Sequence, residues 1–267
     1  MYYFIYLVAK TFDSISSTHV NLFHKQIVGV NFLSKNSFSL PDLPNLFSLI
    51  FILAWTNKED RSTDCNKKMP GDNCVERQLF GGAISTCFPH RFQDVSDVRQ
   101  VPDHQEAYVD PARDESVVIE LLDLKHDVGD NGNAVWFLQD LAGEQNAEGT
   151  TVIEQSGVFT ADGIRYPKAA IVTRAIGEMK ISKGRQGPEA QNHVKVYIAN
   201  LRLKEVGTDV LITAYEPFVI NPLSESANSV GAGLTAPAAQ SGCTPMSEVF
   251  RLVVAEFKVH DWNLFAA

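Results

Sequence analysis

The sequence has few cysteines and no spacing typical of a metal site. Four cysteines occur in 267 residues, at positions 65, 74, 87 and 243, without a C-x-x-C pair and without histidines at ligand spacing. Zinc sites need such spacings, and disulfide frameworks belong to short, cysteine-dense chains. We therefore expect neither, and we interpret the cysteines as ordinary thiols of a reducing compartment. A chain of this length can bury a stable core without disulfides or metals.

Long hydrophobic runs are also missing. The apolar runs at residues 2–9 and 46–55 are each about half of the roughly 20 residues that a membrane-spanning helix needs. No basic segment precedes the first run, as a secretory signal requires. We therefore expect no stable insertion into a membrane.

Motifs of catalytic and nucleotide-binding sites do not occur either. SKGRQG at residues 182–187 lacks the P-loop pattern, and LFGGA at residues 79–83 lacks G-x-G-x-x-G. No histidine has a sequence partner that would complete a nucleophile and base pair, and Cys87 lies in an apolar, strand-like run instead of at an activating helix N-terminus. We expect a protein that is not an enzyme and needs no cofactor.

Basic residues are outnumbered. There are 23 Lys and Arg residues against 32 Asp and Glu residues, so the formal net charge is −9. This balance argues against direct binding of nucleic acid, because a phosphate backbone needs a basic surface. Divided at Met69, the charge is +2 for residues 1–68 and −11 for residues 69–267. The acidic part is therefore expected to bind a basic protein surface.

Residues 1–68 differ from the rest and predict a poorly structured N-terminal extension. Up to residue 40 the segment is rich in serine with Asp13 as its one acidic residue, which partly fits a transit peptide, but it contains no arginine there. Two interpretations stay open: a non-native extension produced by a start upstream of Met69, or a targeting segment. Residues 69–267 are predicted to form one domain, without internal repeats.

The domain shows the periodicities of an α+β fold. Strand-like runs predict short strands at residues 79–88 and 136–141 and longer ones at 169–181, 194–204 and 209–220. Residues 194–204 show near-period-2 alternation, and residues 205–208 are predicted to form a hairpin turn. Thr244 as N-cap and Pro245 at the first helical position predict a C-terminal helix. Together these elements predict an antiparallel sheet flanked by helices.

Acidic residues concentrate between Asp94 and Asp127. Within this stretch, residues 114–127 fit an amphipathic helix, with Glu120 and Asp123 one turn apart on the polar side. Like charges at that spacing repel, so a basic partner would compensate them. The alternative is an ordinary solvated face, which is the usual fate of a charge run.

Four segments carry a resemblance to the Ran guanine nucleotide release factor family, the Mog-type proteins, and most of all to its plant members. They are RQLFGGAISTCFP from residue 77, DVSDVRQVPDHQEAYVDPARDES from residue 94, ELLD from residue 120 and FKVHDWNLF from residue 257. The resemblance covers residues 75–265. It implies an antiparallel sheet flanked by helices, a Mog/PsbP-like fold, and a protein that binds the GTPase Ran and releases its guanine nucleotide during nuclear protein import.

The resemblance also implies which residues contact Ran. Acidic residues of the family's first helix correspond to Glu120 and Asp123, and its PD-x-QE loop corresponds to the segment with Asp103, Gln105 and Glu106. Asp97 and Arg99 precede that loop and are expected to contribute, although Arg99 could equally form a local salt bridge. Neutralising Glu120 and Asp123 together should then abolish Ran capture.

Two other functions stay open at this point. The first is a PsbP-like, photosystem-associated lumenal protein with residues 1–68 as transit segment. The second is a Ran-binding scaffold without exchange activity. For the release factor we expect a monomer in the nucleus and the cytoplasm.

Overall fold

The computed structural model describes residues 72–98, 100–145, 147, 171–182 and 186–266, and the backbone of residues 151–160. Arg99, Cys65 and the predicted extension with its boundary at residue 69 lie outside the described residues. The boundary and the role of Arg99 therefore stay predictions.

Among the described residues, more lie in β-strands than in helices, and we number the strands in chain order. The strands are β1 (Cys74–Leu79), β2 (Ile84–Pro89), β3 (Gln93–Asp94), β4 (Gln105–Asp110), β5 (Glu115–Asp123), β6 (Thr151–Thr160), β7 (Ile171–Ile181), β8 (Asn192–Leu203), β9 (Thr208–Ile220), β10 (Gly233–Leu234) and β11 (Lys258–Val259). The helices are α1 (Asn133–Glu144), α2 (Ser226–Val230) and α3 (Met246–Ala255). Short 3-10 turns connect several of these elements.

The strands form two antiparallel sheets. The large sheet has the order β3-β4-β5-β9-β8-β7-β6, with β10 beside β9, and the small sheet has the order β1-β2-β11. The three long strands predicted from the sequence correspond to β7, β8 and β9, and Gly207 turns the β8–β9 hairpin with a left-handed φ of 64°. The prediction of an antiparallel sheet flanked by helices is confirmed.

Each face of the large sheet is covered by its own layer. Helix α1 packs on β7 and β8 on one face, where Phe137 and Leu138 meet Met179 and Val196. On the other face lie the small sheet and α3, whose buried side chains recur at helical spacing: Met246, Val249, Phe250 and Val253. Because β5, β8 and β9 are covered on both faces, they need apolar residues on both.

Two predicted elements are of the wrong type. Residues 136–141, predicted as a strand, belong to helix α1. Residues 114–127, predicted as a helix, contain strand β5, which pairs with β4 and β9. Its buried residues alternate, with Glu115, Val117 and Ile119 facing one core. The β-branched Val117-Val118-Ile119 triplet favours the strand, because such side chains pack well in a sheet and lose rotamer freedom in a helix.

Smaller expectations are corrected as well. The C-terminal helix begins at Met246 with Pro245 before it, so Thr244 is not its N-cap. Gly81 and Gly82 form the turn between β1 and β2, not a bulge within one strand.

Cys74 and Cys243 are free thiols, but Cys87 is disulfide-bonded, so the expectation of four thiols is wrong for Cys87. Within the described ranges, none of the helices has the length and hydropathy to span a membrane.

Candidate functional site

The β4–β5 hairpin carries most of the acidic residues that the sequence singled out. The register pairs Gln105 with Glu120 and Glu106 with Ile119. Successive side chains of a strand point to opposite faces. Gln105 and Glu106 therefore do not form one contact loop, and the two residues face different layers of the protein.

Glu106 lies on the face of the sheet that the small sheet and α3 cover. One of its carboxylate oxygens, Oε1, accepts a hydrogen bond from the backbone N–H of Phe80 at 2.5 Å. Two residues further on the same strand, Tyr108 stacks on Phe88 with ring centroids 4.4 Å apart. The Glu106 side chain is thus half-buried at the junction between the two sheets, with its backbone fixed by the β4–β5 ladder.

Asp94 and Asp97 come to the same place from the preceding segment. Asp94 pairs with Tyr108 through the β3–β4 ladder. Its carboxylate accepts hydrogen bonds from the backbone N–H and the hydroxyl of Ser96, at 2.8 and 2.6 Å, which hold a 3-10 turn over residues 95–97. Asp97 ends that turn with an exposed side chain. We call Asp94, Asp97 and Glu106 the acidic edge.

The charges of the acidic edge affect the titration of Glu106 and of Tyr108. Burial raises the pKa of Glu106, the Phe80 N–H lowers it, and the negative charge of Asp94 raises it again. The pKa of the Tyr108 hydroxyl is also raised, first by burial and then by Asp94 and Glu106, while Arg77 lowers it and Asp97 raises it by a smaller effect. The acidic edge is therefore a region of concentrated negative potential, in which a cationic group is favoured.

Glu120 lies on the opposite face of the sheet. Its Oε1 accepts a hydrogen bond from the Gln105 side-chain amide, and the next strand places Leu211 beside it. Burial raises the pKa of Glu120, while the Gln105 hydrogen bond and His104 lower it and Glu144 of α1 raises it. The same two carboxylates, Glu120 and Glu144, add to the burial that raises the pKa of Tyr215. Glu120 thus belongs to the layer of α1.

Asp123 does not share a stripe with Glu120. The two residues are three positions apart on a strand, so their side chains point to opposite faces. By the same alternation Asp123 lies on the face of Glu106, at the exposed end of β5 opposite Thr208. The predicted single surface of Glu120 and Asp123 is wrong for this reason. Asp103 is exposed in the turn that precedes β4.

Two buried ionic clusters were missed by the sequence analysis, and both stabilise the fold. Arg91 donates to Asp72, Asp110 and Glu115 at 3.1, 2.7 and 2.8 Å. Arg202 donates to Asp209 at 3.0 Å and to the carbonyls of Lys125 and Val128. The first cluster closes the far end of the β4–β5 hairpin, and the second fixes the loop before α1. Across the described ranges, no group of three or more His, Cys, Asp or Glu side chains is arranged to hold a metal ion.

The Phe80 contact was also missed. Its donor is a backbone N–H, and the β1–β2 turn brings it to a carboxylate 26 residues away. Side-chain patterns carry no signal for such a contact. The two adjacent glycines are the one hint that the sequence gives.

Comparison with known proteins gives a consistent result. Residues 77–217 match the family described as "Ran-interacting Mog1 protein". The chain is 36% identical over 155 residues to the Ran guanine nucleotide release factor of Danio rerio, covering 57% of this chain and 84% of that protein. It is 31% identical over 207 residues to the nuclear import protein MOG1 of Saccharomyces cerevisiae, covering 73% and 86%. The crystal structure of the Ran-binding protein Mog1p from S. cerevisiae aligns with a TM-score of 0.49 at 22% identity, covering 73% of this chain and 99% of that one.

Proposed function

The chain belongs to the Ran-interacting Mog1 protein family, and from that membership we propose that it binds the GTPase Ran and promotes release of its guanine nucleotide in nuclear protein import. The matched residues include the whole acidic edge and the β4–β5 hairpin. Membership of this family argues against the alternative function of a PsbP-like, photosystem-associated protein. Action in nuclear import implies that the protein works in both the nucleus and the cytoplasm.

One observation supports the proposed binding surface: the carboxylates of Asp94, Asp97 and Glu106 lie near Tyr108. Asp94 raises the pKa of Glu106, and all three carboxylates raise the pKa of Tyr108. Lys or Arg side chains of a partner would be favoured in this negative potential. Asp103 and Asp123 extend the charge along the same end of the hairpin. Glu120 and Gln105 bond each other on the other face, so we assign them a supporting role.

Such a protein acts by binding and makes no covalent bond. It binds nucleotide-free Ran better than loaded Ran, and by linkage the nucleotide is then bound more weakly by the complex. Loosening the nucleotide about a thousandfold requires about 4 kcal/mol of differential binding. The acidic edge would contribute by orienting the two proteins as they associate and by stabilising the complex once it has formed.

The experiment measures release of a fluorescent guanine nucleotide from Ran with and without this protein. The test variant is D97N/E106Q, and the matched control is D140N/E189Q, which removes the same charge at two exposed residues on other elements. We expect faster release with the wild type and the control, and loss of the effect with the test variant. Binding without faster release would identify the scaffold, and absence of Ran binding by the wild type would contradict the proposal.

A further inference from the structure

The turn between β1 and β2 has an unusual backbone. Phe80, Gly81 and Gly82 all have positive φ, at 49°, 66° and 94°, and the Ala83 N–H donates to the Phe80 carbonyl at 3.3 Å. Positive φ at two central residues is the geometry of the tight turns that suit a twisted hairpin. For glycine it carries no steric penalty, but for phenylalanine it is uncommon and strained.

The strained residue is the one that contacts the acidic edge. The Phe80 N–H points at Glu106 Oε1 across 2.5 Å, and the Phe80 ring packs partly buried against the larger core. The turn therefore joins the small sheet to β4 of the large sheet at one carboxylate. Backbone strain persists only where the surroundings hold it in place, and here packing of the ring does so.

We propose that the Phe80-Gly81-Gly82 turn is a positioning element that holds the Glu106 carboxylate for its partner. This inference rests on the proposed function, because Glu106 is assigned there to the Ran-binding surface. A carboxylate has two oxygens, each able to accept. The turn fixes Oε1 and leaves Oε2 to accept from a Lys or Arg of the partner.

The neighbours of Glu106 explain why such a donor is needed. Among the described residues, the Phe80 N–H is the hydrogen-bond donor to this side chain, and the nearby charged group that affects it is the carboxylate of Asp94. Burial and a like charge both disfavour the ionised form, and a hydrogen bond to it favours that form. Without the turn, Glu106 would be held less firmly and would ionise less readily.

The two glycines allow the backbone to be tested without a steric clash. A Cβ built at Gly81 meets nothing within 4 Å, and one at Gly82 meets only Gln78 Oε1 at 3.6 Å. G81A thus changes the conformational preference of the turn and leaves the packing intact. G81N is the conservative variant, because asparagine tolerates the left-handed region better than alanine.

The matched control is G242A. Gly242 has nearly the same φ, 68°, and equally open space, and it lies in the loop before α3, near the Arg91 end of the hairpin. Both alanine variants should lower the thermal midpoint by similar amounts. Only G81A should affect Glu106.

The experiment compares Ran affinity for the wild type, G81A, G81N, E106Q, G242A and the double variant G81A/E106Q. Losing a hydrogen bond to a charged group predicts about tenfold weaker Ran binding for G81A, with recovery in G81N and no loss in G242A. In the E106Q background, G81A should have no further effect. Equal losses for G81A and G242A, or full additivity of G81A with E106Q, would overturn the inference.

A second measurement does not depend on Ran. NMR titration of the Glu106 carboxyl group should show its pKa raised in G81A relative to the wild type, because the ionised form loses a hydrogen bond. An unchanged pKa would contradict the positioning role even if Ran binding is weakened. If the wild type does not bind Ran at all, the proposed function fails, and this titration still tests the role of the turn.

Discussion

Glu120 and Asp123 point to opposite faces of strand β5, with Glu120 bonded to Gln105 on the α1 side and Asp123 exposed on the side of Glu106. The two residues are three positions apart in the sequence, a spacing that would place them on one face of a helix. On a strand they point to opposite faces, so they cannot both contact one flat partner surface. The strand therefore divides the acidic segment into two groups with different environments.

This division predicts different effects of two matched variants. D123N removes a charge from the face of the acidic edge, so Ran affinity should fall by about three- to tenfold. E120Q changes the other face and keeps a group able to bond Gln105, so affinity should stay within about twofold. Calorimetry of Ran binding measures both. A larger loss for E120Q than for D123N would contradict the assignment of faces.

E120Q should also change the pH dependence of stability. The folded-state pKa of Glu120 is raised, mainly by burial. A carboxyl group of this kind binds more protons in the folded than in the unfolded state, so its contribution to stability falls as pH rises from the unfolded pKa through the folded pKa. E120Q should therefore be relatively more stable at pH 7 than at pH 4, by less than about 1 kcal/mol because solvent screens the partly exposed group. Urea unfolding at both pH values measures this, and an opposite slope would contradict it.

Removing Arg91 should strongly destabilise the protein. The variant R91M removes the ion pair of Asp110, which is 3% exposed, and leaves Glu115, which is 2% exposed, paired with Arg113 alone. Breaking a buried ion pair in this way costs about 3–5 kcal/mol. Chemical unfolding measures the loss. The control R251M breaks a more exposed pair with Glu248 within α3 and should cost about 0.5 kcal/mol or less.

Association with Ran should depend on salt. If the acidic edge steers a basic partner, raising the ionic strength from about 0.05 to 0.5 M should lower the association rate about tenfold or more, with a smaller effect on dissociation. In D97N/E106Q this dependence should be weaker. Stopped-flow measurements give both rates. A rate independent of salt would argue against a charged encounter surface.

The sequence predicted the long strands better than the segments around them. Strands β7, β8 and β9 have 11 to 13 residues, and their long apolar runs, with near-period-2 alternation in β8, made their type evident. In β5 both faces carry apolar residues, with Val117 toward one core and Leu122 toward the other. Strands β8 and β9 are also covered on both faces, but β5 is shorter, with nine residues, and its Val and Leu residues also fit helical spacing.

Which residues contact Ran stays a prediction, and the arrangement of the predicted residues differs from the expected one. The resemblance selected Glu106 and Glu120 from local motifs. Which face each of them occupies depends on β4 and β5 being paired strands. The Phe80 N–H could not be predicted from residue types, because its direction depends on the conformation of a turn that only the paired strands β1 and β2 define.

The Arg91 cluster constrains how the chain can be shortened for study. Asp72 lies before the first strand, yet its carboxylate binds both Arg91 and the backbone N–H of Thr244, 172 residues later. A recombinant form that begins at Met69 retains this acid, whereas one that begins at Cys74 retains every strand that the structure describes and lacks Asp72. A form that begins at Cys74 would therefore lose the hydrogen bond that Asp72 makes to Thr244 in the segment before α3. Its binding affinity should not be taken as that of the intact domain.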